Sequence, residues 1–330
     1  MGISQTLTRG EDNDMKKHLY LSFVGVLLCL AGLAQQDPSY SQYFFNPMYV
    51  NPGYAGSRDV LSGTLVHRSQ WIGVDGAPVS QELNVHSALP NTNIGLGLQV
   101  SNDRIGPVKN TSIAAIFAYH LHVGTESRLS FGISGMVSDV RVDFNSLTME
   151  DETDMALTNN SYNSWVPDAG AGLYFYRHRF YAGLSARNLI QSRLRLQDAA
   201  GANSAKFFRH YYFVTGFVTD LGQNFALRPS LLVKYVQGAP VLFDVNASVI
   251  FKEQLYLGAG FRTGKRVEMK GLDNMFIASI AYDFKNRLRF GYSYDVYLDR
   301  SSAYNHGTHE IMIGWDLGFT KAKMTSPRFF

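Results

Sequence analysis

Apolar and polar positions alternate along most of the chain beyond about residue 60. From Leu288 to Leu298, a large apolar side chain recurs at every second position, and Arg, Gly, Ser and Asp mostly lie between them. Strict alternation over about eight to twelve residues predicts strands with one apolar and one polar face. Fourteen such segments occur, near residues 60–69, 79–87, 93–102, 110–121, 128–140, 166–176, 179–188, 206–220, 224–236, 241–251, 254–262, 274–284, 287–298 and 308–319.

The length of these segments distinguishes a membrane barrel from a soluble β-sandwich. Sandwich strands average about five to six residues, whereas a tilted strand that crosses a membrane needs about nine to eleven. The apolar face is rich in Phe and Tyr, which number 22 and 19 among the 330 residues. A soluble closed barrel needs its apolar face inside, so we expect this aromatic face to meet lipid. The sequence predicts an all-β fold, a transmembrane antiparallel β-barrel of about 14 strands.

The connections between the predicted strands alternate in length. Every second connection is short, as at Arg177-His178 and Lys252-Glu253, and the others are generally longer, with the longest at Arg141–Trp165. Outer-membrane barrels have short periplasmic turns and longer extracellular loops. We therefore expect Arg141–Trp165 and Asn188–Ala205 to face outside and both chain termini to face the periplasm. Pro229 removes a ladder donor and predicts a bulge in the ninth strand.

The beginning of the chain predicts export to the cell outer membrane. Lys16-Lys17 precede an apolar stretch from Leu19 to Leu33, and the small residues Ala31 and Ala34 lie just before Gln35-Gln36. A charged region, an apolar region of about fifteen residues and a small-residue end make up a secretory signal peptide. We expect cleavage near Ala34. The alternatives are an uncleaved membrane anchor and a lipoprotein attached through Cys29.

Charge and composition exclude several kinds of protein. The formal net charge is +3 and no Lys/Arg cluster runs through the body of the chain, so no nucleic-acid partner is indicated. The single cysteine excludes a disulfide framework and a cysteine-based zinc site. The charged residues 1–14 fit no signal peptide, so Met15 is the expected start of translation.

Motifs that carry chemistry are weak in this chain. His120-x-His122 share a strand face, but no Asp, Glu or Cys accompanies them at a compatible spacing, so a pair facing the lumen is favoured over a metal site. The acidic residues of Glu150–Asp154 are interpreted as a solvated outer loop rather than a calcium site. No spacing of Ser, His and Asp singles out a hydrolase. No enzyme and no catalytic, cofactor-binding or metal-binding residue is predicted.

Several segments, in the same order along the mature chain, resemble one known family. They are Gln42-Tyr43, Asn46-Pro47, Asn51-Pro52-Gly53-Tyr54-Ala55-Gly56-Ser57, Arg68-Ser69-Gln70-Trp71, Leu232-Val233-Lys234-Tyr235, Gln237-Gly238-Ala239-Pro240, Gly291-Tyr292-Ser293-Tyr294-Asp295, Gly307-Thr308-His309-Glu310 and Ser326-Pro327-Arg328-Phe329-Phe330. By these segments the sequence is identified as a member of the PorP/SprF family of the Bacteroidetes type IX secretion and gliding-motility machinery. Gly53 departs from the family pattern, in which Ala is expected.

The resemblance implies a non-enzymatic outer-membrane component that supports secretion or surface attachment of specific cargo proteins. The implied partners are other type IX secretion components, a secreted cargo protein, a periplasmic peptidoglycan-linked protein and outer-membrane lipid. The alternative is an outer-membrane transport barrel, porin-like or a channel for hydrophobic solutes, and the two differ in whether the lumen is open. Charged side chains on the inner parity fit either function: Arg179, Arg187, Arg228, Lys234, Asp244, Arg287, Arg289 and Asp295.

Two segments outside the strands form the candidate partner-binding surface. The chain is expected to divide into an extension with signal peptide (1–34), a periplasmic amino-terminal segment (35–58), the barrel (59–319) and a periplasmic tail (320–330). Two Asn-Pro turns among aromatics cannot form a strand, and exposed aromatics beside an Arg are typical anchors for a protein partner. The alternative is that both segments fold into the barrel mouth as a plug. The candidate residues are Tyr43, Asn46, Pro47, Asn51, Pro52, Tyr54, Arg328, Phe329 and Phe330.

Overall fold

Long antiparallel strands account for most of the residues that this computed structural model describes, which are 37–143, 161–195, 204–264, 274–284, 287–298 and 300–318. The strands are β1 (Leu61–Ser69), β2 (Val79–Ala88), β3 (Ile94–Ile105), β4 (Val108–His122), β5 (Ser127–Asp143), β6 (Ser161–Arg177), β7 (Phe180–Arg187), β8 (Arg193–Arg195), β9 (Ser204–Lys206), β10 (His210–Phe217), β11 (Thr219–Asp220), β12 (Phe225–Val236), β13 (Leu242–Phe251), β14 (Leu255–Gly264), β15 (Met275–Phe284), β16 (Leu288–Tyr297) and β17 (Thr308–Leu317). No helix among these described residues is both long and apolar enough to cross a membrane.

The sheet closes on itself. Neighbouring strands of the barrel follow the order of the chain, with β7 paired to β10, and β1 pairs antiparallel with β17 from Leu61 opposite Leu317 to Ser69 opposite His309. The two residues of β11 continue β10 along the same neighbour, β12, while β8 and β9 form a separate two-stranded hairpin. The result is a closed antiparallel barrel of 14 strands, as the alternating pattern predicts.

The two faces of the strands divide as the sequence pattern requires. On β13, Phe243, Val245 and Val249 are exposed on the outside, whereas Asp244 and Asn246 are buried inside. Side chains of successive strand residues point to opposite faces, so the apolar row of every strand lies on the outer surface of the barrel. The lumen is thus lined by polar and charged groups, which must find partners inside it.

The two rims of the barrel differ in their connections. We call the rim with the shorter connections the short-turn rim; there the chain passes from β13 to β14 through Lys252–Gln254. At the opposite, long-loop rim, residues 70–78 join β1 to β2, and the described part of Asn188–Ala205 includes β8. Since Leu61 lies opposite Leu317, the first strand begins and the last strand ends at the short-turn rim.

Two local predictions differ from the structure. The ladder between β5 and β6 runs to Asp143 opposite Ser161, so Arg141 and Trp165, which were expected in a loop, are paired in strands; residues 144–160 lie outside the described part of the chain. The bulge predicted at Pro229 is wrong. On one side of β12, the register with β13 is constant along the whole ladder. On the other side, β12 has the same register with β10 as with β11, so no extra residue is inserted at Pro229. The missing proline N–H interrupts the ladder without requiring an extra residue.

The amino-terminal segment lies inside the barrel. Two 3-10 turns, Tyr43–Phe45 and Pro52–Tyr54, flank one helical turn at Pro47–Val50, and all side chains from residue 40 to residue 57 are buried. Each Asn-Pro pair starts one of the last two turns, since proline has the backbone angle that a first helical residue needs. We call residues 37–57 the plug. The expectation of a periplasmic segment is thereby corrected, because the aromatic plug residues are packed within the lumen.

Candidate functional site: the plugged lumen

The plug spans the lumen from rim to rim. At its amino-terminal end, the Asp37 N–H donates to Nε2 of His210, the first residue of β10, at 3.2 Å. At its other end, the Ala55 carbonyl oxygen accepts from Nε2 of His120, near the end of β4, at 2.9 Å. His210 lies at the long-loop rim and His120 near the short-turn rim. The plug therefore enters at the long-loop rim and leaves at the short-turn rim, where the chain continues into β1.

A buried arginine between two carboxylates fixes the part of the plug nearest the long-loop rim. The Arg68 guanidinium donates to Asp295 Oδ2 at 2.7 Å and to Glu310 Oε2 at 2.9 Å, and all three side chains are 0% exposed. The Glu310 carboxylate also accepts the backbone N–H groups of Ser41 and Gln42, each at 2.8 Å. Buried charges are tolerated when paired and hydrogen-bonded, so this cluster specifies where the plug backbone must lie.

A second buried ion pair holds the preceding residues. Arg262 Nη2 lies 2.6 Å from Asp244 Oδ2 across β13 and β14. The same guanidinium donates to the carbonyl oxygens of Ser39 at 3.0 Å and Tyr40 at 2.9 Å. Lys234 adds a donor 2.7 Å from the Asp37 carbonyl oxygen. Because an irregular segment has few internal hydrogen bonds, these side chains satisfy backbone carbonyls that would otherwise be buried without a partner.

Aromatic rings of the plug stack against arginines in the middle of the lumen. The guanidinium carbon of Arg228 lies 4.5 Å from the ring centre of Phe44 and 4.4 Å from that of Phe45. Arg289 approaches Phe45 at 4.6 Å and donates to Asp283 at 2.7 Å. Cation–π contacts of this kind gain strength when they are desolvated, so the two arginines bind the aromatic plug as well as line the wall.

The two asparagines of the Asn-Pro turns bind the barrel wall. Asn51 Nδ2 donates to the carbonyl oxygens of Leu173 at 2.8 Å and Leu184 at 3.1 Å, and its Oδ1 accepts the Gly53 N–H at 2.9 Å. Asn46 Nδ2 donates to Glu82 Oε1 at 3.1 Å. An amide offers both donors and an acceptor, so each asparagine ties a turn of the plug to the strands.

Glycines in the wall allow the plug backbone to approach closely. A Cβ atom on Gly132 would overlap the backbone N of Gly53, and one on Gly95 would overlap the carbonyl oxygen of Ala55. Gly172 faces Asn51 in the same way. Absence of a side chain is required where two backbones meet. These contacts belong to the part of the plug nearest the short-turn rim.

The histidine pair singled out in the sequence does not form a metal site in the described structure. Within the described ranges, no group of three or more His, Cys, Asp or Glu side chains has the geometry of a metal site. His120 bonds the plug and Tyr176 rather than acting with His122, which is exposed. The cavities beside Trp315 and Asp103 are only about 20 Å³ and 30 Å³, and a more open cleft of about 310 Å³ lies beside His122 at the short-turn rim. The lumen holds a packed segment, and many of its charged and polar side chains bind that segment.

The predicted partner-binding residues fall into two sets. Arg328, Phe329 and Phe330 lie outside the described residues. The structure brings the other six together inside the lumen, where all of them are buried: Tyr43, Asn46, Pro47, Asn51, Pro52 and Tyr54. In this state they bind the barrel, as the plug alternative holds, and partner binding by the tail stays a prediction.

Sequence reasoning missed the residues that receive the plug. Arg68 and Glu310 lie in segments that resemble the family, but no reason for their presence was evident from the chain alone. Arg262 was not singled out at all. Inward parity of a charged residue in a membrane strand is the signal that finds all three, since such a charge needs a partner in the lumen. Parity does not reveal that the partner is the plug.

Comparison with known proteins identifies the family. The sequence model described as "Type IX secretion system membrane protein PorP/SprF" matches residues 32–315. The chain belongs to the PorP/SprF family. Family membership and the barrel fold make this PorP/SprF protein an outer-membrane protein of the type IX secretion system. No curated protein sequence matches it.

Solved structures share the barrel fold at low sequence identity. The CymD monoaromatic hydrocarbon channel has a TM-score of 0.52 and 10% identity, over 85% of this chain and 93% of that chain. The toluene transporter TodX of Pseudomonas putida has a TM-score of 0.47 and 9% identity, over 86% and 95%. The outer membrane protein Omp33 of Acinetobacter baumannii has a TM-score of 0.43 and 10% identity, over 78% and 99%. The likeness to CymD supports the fold and says nothing about a substrate.

Proposed function

We propose that this PorP/SprF protein is a non-enzymatic, plugged barrel that supports secretion or surface attachment of specific cargo proteins. The observation that carries the proposal is the burial of every plug residue from 40 to 57 within the lumen. A lumen filled by an ion-paired and hydrogen-bonded segment is suited to anchoring partners at its rims. It is poorly suited to continuous passage of solute, so the plug speaks against the porin-like alternative.

The partners follow from family membership and from the two rims. The long-loop rim faces secreted cargo and other type IX secretion components at the cell surface. The short-turn rim and the tail face a periplasmic, peptidoglycan-linked protein. Lys321, Lys323 and Arg328 give the tail a positive charge, and Phe329 with Phe330 supplies aromatic anchors.

The test of cargo support is deletion of the protein from its host, followed by comparison of the secreted and surface proteomes. We expect loss of a small set of cargo proteins while other type IX substrates remain. Detergent-solubilised barrel should co-purify with those cargo proteins and with periplasmic components. An unchanged surface proteome would contradict the proposal.

A separate experiment addresses the tail. A variant that lacks Ser326–Phe330 should insert as a heat-modifiable barrel but lose its periplasmic partners in the pull-down. The matched control replaces Arg328 by Lys and keeps the length and charge of the tail. Retention of all partners by the truncated barrel would remove the docking role.

Channel activity distinguishes the two functions. In planar bilayers the intact protein should show no steady porin-like conductance, whereas deletion of residues 37–57 should open the lumen if the emptied barrel still folds. Steady conductance through the intact protein would favour the transport alternative.

A further inference from the structure

The direction in which the plug runs has a consequence for the topology of the chain. Its first described residues bind the long-loop rim: Asp37 contacts His210, and its carboxylate lies 3.8 Å from Arg187, the last residue of β7. Its last residues lie at the short-turn rim, where Arg58, the residue that follows the plug, pairs with Asp316 at 3.1 Å near the end of β17. The plug thus traverses the lumen once, and only its short-turn end continues into the barrel.

Each step along the plug supports the same direction. Ser41 bonds Glu310 and Asp295, which lie within three residues of the long-loop ends of β17 and β16. Further along, the Gly56 N–H donates to His86, two residues before the short-turn end of β2, at 3.1 Å. The contacts therefore pass in order from the long-loop rim to the short-turn rim.

The orientation of the barrel in the outer membrane follows from its connections. Short turns face the periplasm in outer-membrane barrels, and longer loops face the cell exterior. We infer that Asp37, the first described residue of the plug, faces the cell surface, and that the plug continues into the barrel at its periplasmic end. The inference replaces the expectation that both termini face the periplasm, and it goes beyond the proposed secretion role, since it holds for a plugged barrel of any function.

This topology defines how the plug can be reached. A protein at the cell surface can contact the Asp37 end of the plug without entering the periplasm. From the periplasmic side, the accessible end of the plug is the link to β1 at residues 58–60. Release of the amino-terminal end must break the contacts that Arg68, Arg262 and Lys234 make with Ser41, Tyr40 and Asp37 near the long-loop rim.

Cysteine labelling on living cells tests the inference. The only cysteine of the chain, Cys29, lies in the predicted signal peptide, so single cysteines can be introduced into an otherwise cysteine-free mature chain. A membrane-impermeant maleimide should label Gln36→Cys in intact cells to the same extent as Tyr304→Cys. Tyr304 is 81% exposed at the long-loop rim. His178→Cys, in the short turn between β6 and β7, should be labelled only after the outer membrane is permeabilised.

Each labelling pattern of the introduced cysteines leads to a different conclusion. Labelling of Gln36→Cys only after permeabilisation, or only after unfolding, would overturn the inference. Reversed labelling of the two control cysteines would overturn the orientation on which it depends, while leaving the secretion role to be decided by the proteome comparison. Mass spectrometry of the purified protein confirms that residue 36 is retained, and heat modifiability confirms that the barrel is folded. If Gln36→Cys does not fold, an epitope inserted between Gln36 and Asp37 and probed with antibody on intact cells gives the same readout.

Discussion

The two ends of the plug are held by different kinds of contact. Near the long-loop rim, buried charges of the wall bind plug backbone groups, as Glu310 does with Ser41 and Arg262 does with Tyr40. Near the short-turn rim, wall glycines such as Gly132 let the two backbones touch. Both kinds of wall belong to strands with the same alternating pattern. The alternating pattern therefore determines which face of a strand points into the lumen, but not which contacts that face makes with the plug.

The two ends of the plug differ in what their contacts require: complete pairing of buried charges at one end, and a close fit between two backbones at the other. A buried guanidinium between two carboxylates is costly unless every partner is in place, so it fixes position and direction. A glycine contact depends on shape alone, because any Cβ would occupy the space of the plug backbone. The outer contacts are thus expected to respond to charge changes, and the inner contacts to volume changes.

Removing the central charge should have the largest effect. Arg68→Met leaves Asp295 and Glu310 buried without their shared cation, which should lower the free energy of unfolding by about 3–5 kcal/mol. The measurement is urea unfolding in phospholipid vesicles, followed by the fluorescence of the three tryptophans. Arg104→Met, an exposed arginine of β3, is the matched control.

A compensated variant sharpens this result. Replacing Arg68, Asp295 and Glu310 together by Met, Asn and Gln removes all three charges and should recover part of the lost stability, because no charge is left unpaired. If Arg68→Met changes the unfolding midpoint no more than the control does, the charged cluster does not hold the plug.

Adding one methyl group should test the inner contacts. Gly132→Ala places a Cβ against the backbone of Gly53 and should cost about 1–3 kcal/mol of stability, or raise bilayer conductance by displacing the plug. Gly135→Ala is the control on the same strand, since a Cβ there meets nothing within 4 Å. Equal behaviour of the two variants would remove the close-approach argument.

Loss of one amide should have a moderate effect. Asn51→Ala leaves the Leu173 carbonyl without this donor and should cost about 1–2 kcal/mol. Asn163→Ala, at an exposed position of β6, is the reference in the same unfolding assay. If both changes are equally mild, contacts other than those of Asn51 hold the plug to the barrel wall.

An exposed ion pair should matter least. Arg179 and Asp220 lie 2.7 Å apart outside the lumen, with side chains 43% and 54% exposed. Arg179→Ala should change stability by less than about 1 kcal/mol, and salt should remove even that difference. A loss as large as that of Arg68→Met would show that burial is not what distinguishes the two pairs.

Local sequence by itself determined the barrel. Period-two alternation is a property of each strand alone, so the number of strands, the lipid-facing row and the inward position of Arg228, Lys234 and Asp244 could be predicted without knowing any partner. The Asn-Pro turns could be recognised as something other than a strand for the same reason.

Only the tertiary structure decided what fills the lumen. Arg68 meets Asp295 and Glu310, which are 227 and 242 residues away, because β1 closes the barrel against β17 and β16 follows. Exposed aromatics in a free segment and buried aromatics in a plug have the same composition, so the burial of Tyr43 and Tyr54 could not be deduced from their residue types. Whether the segment is free or buried depends on whether the closed barrel wall has charged residues and glycines at the levels of the lumen where the plug needs them. Strand register and barrel closure set those levels, and no local sequence pattern does.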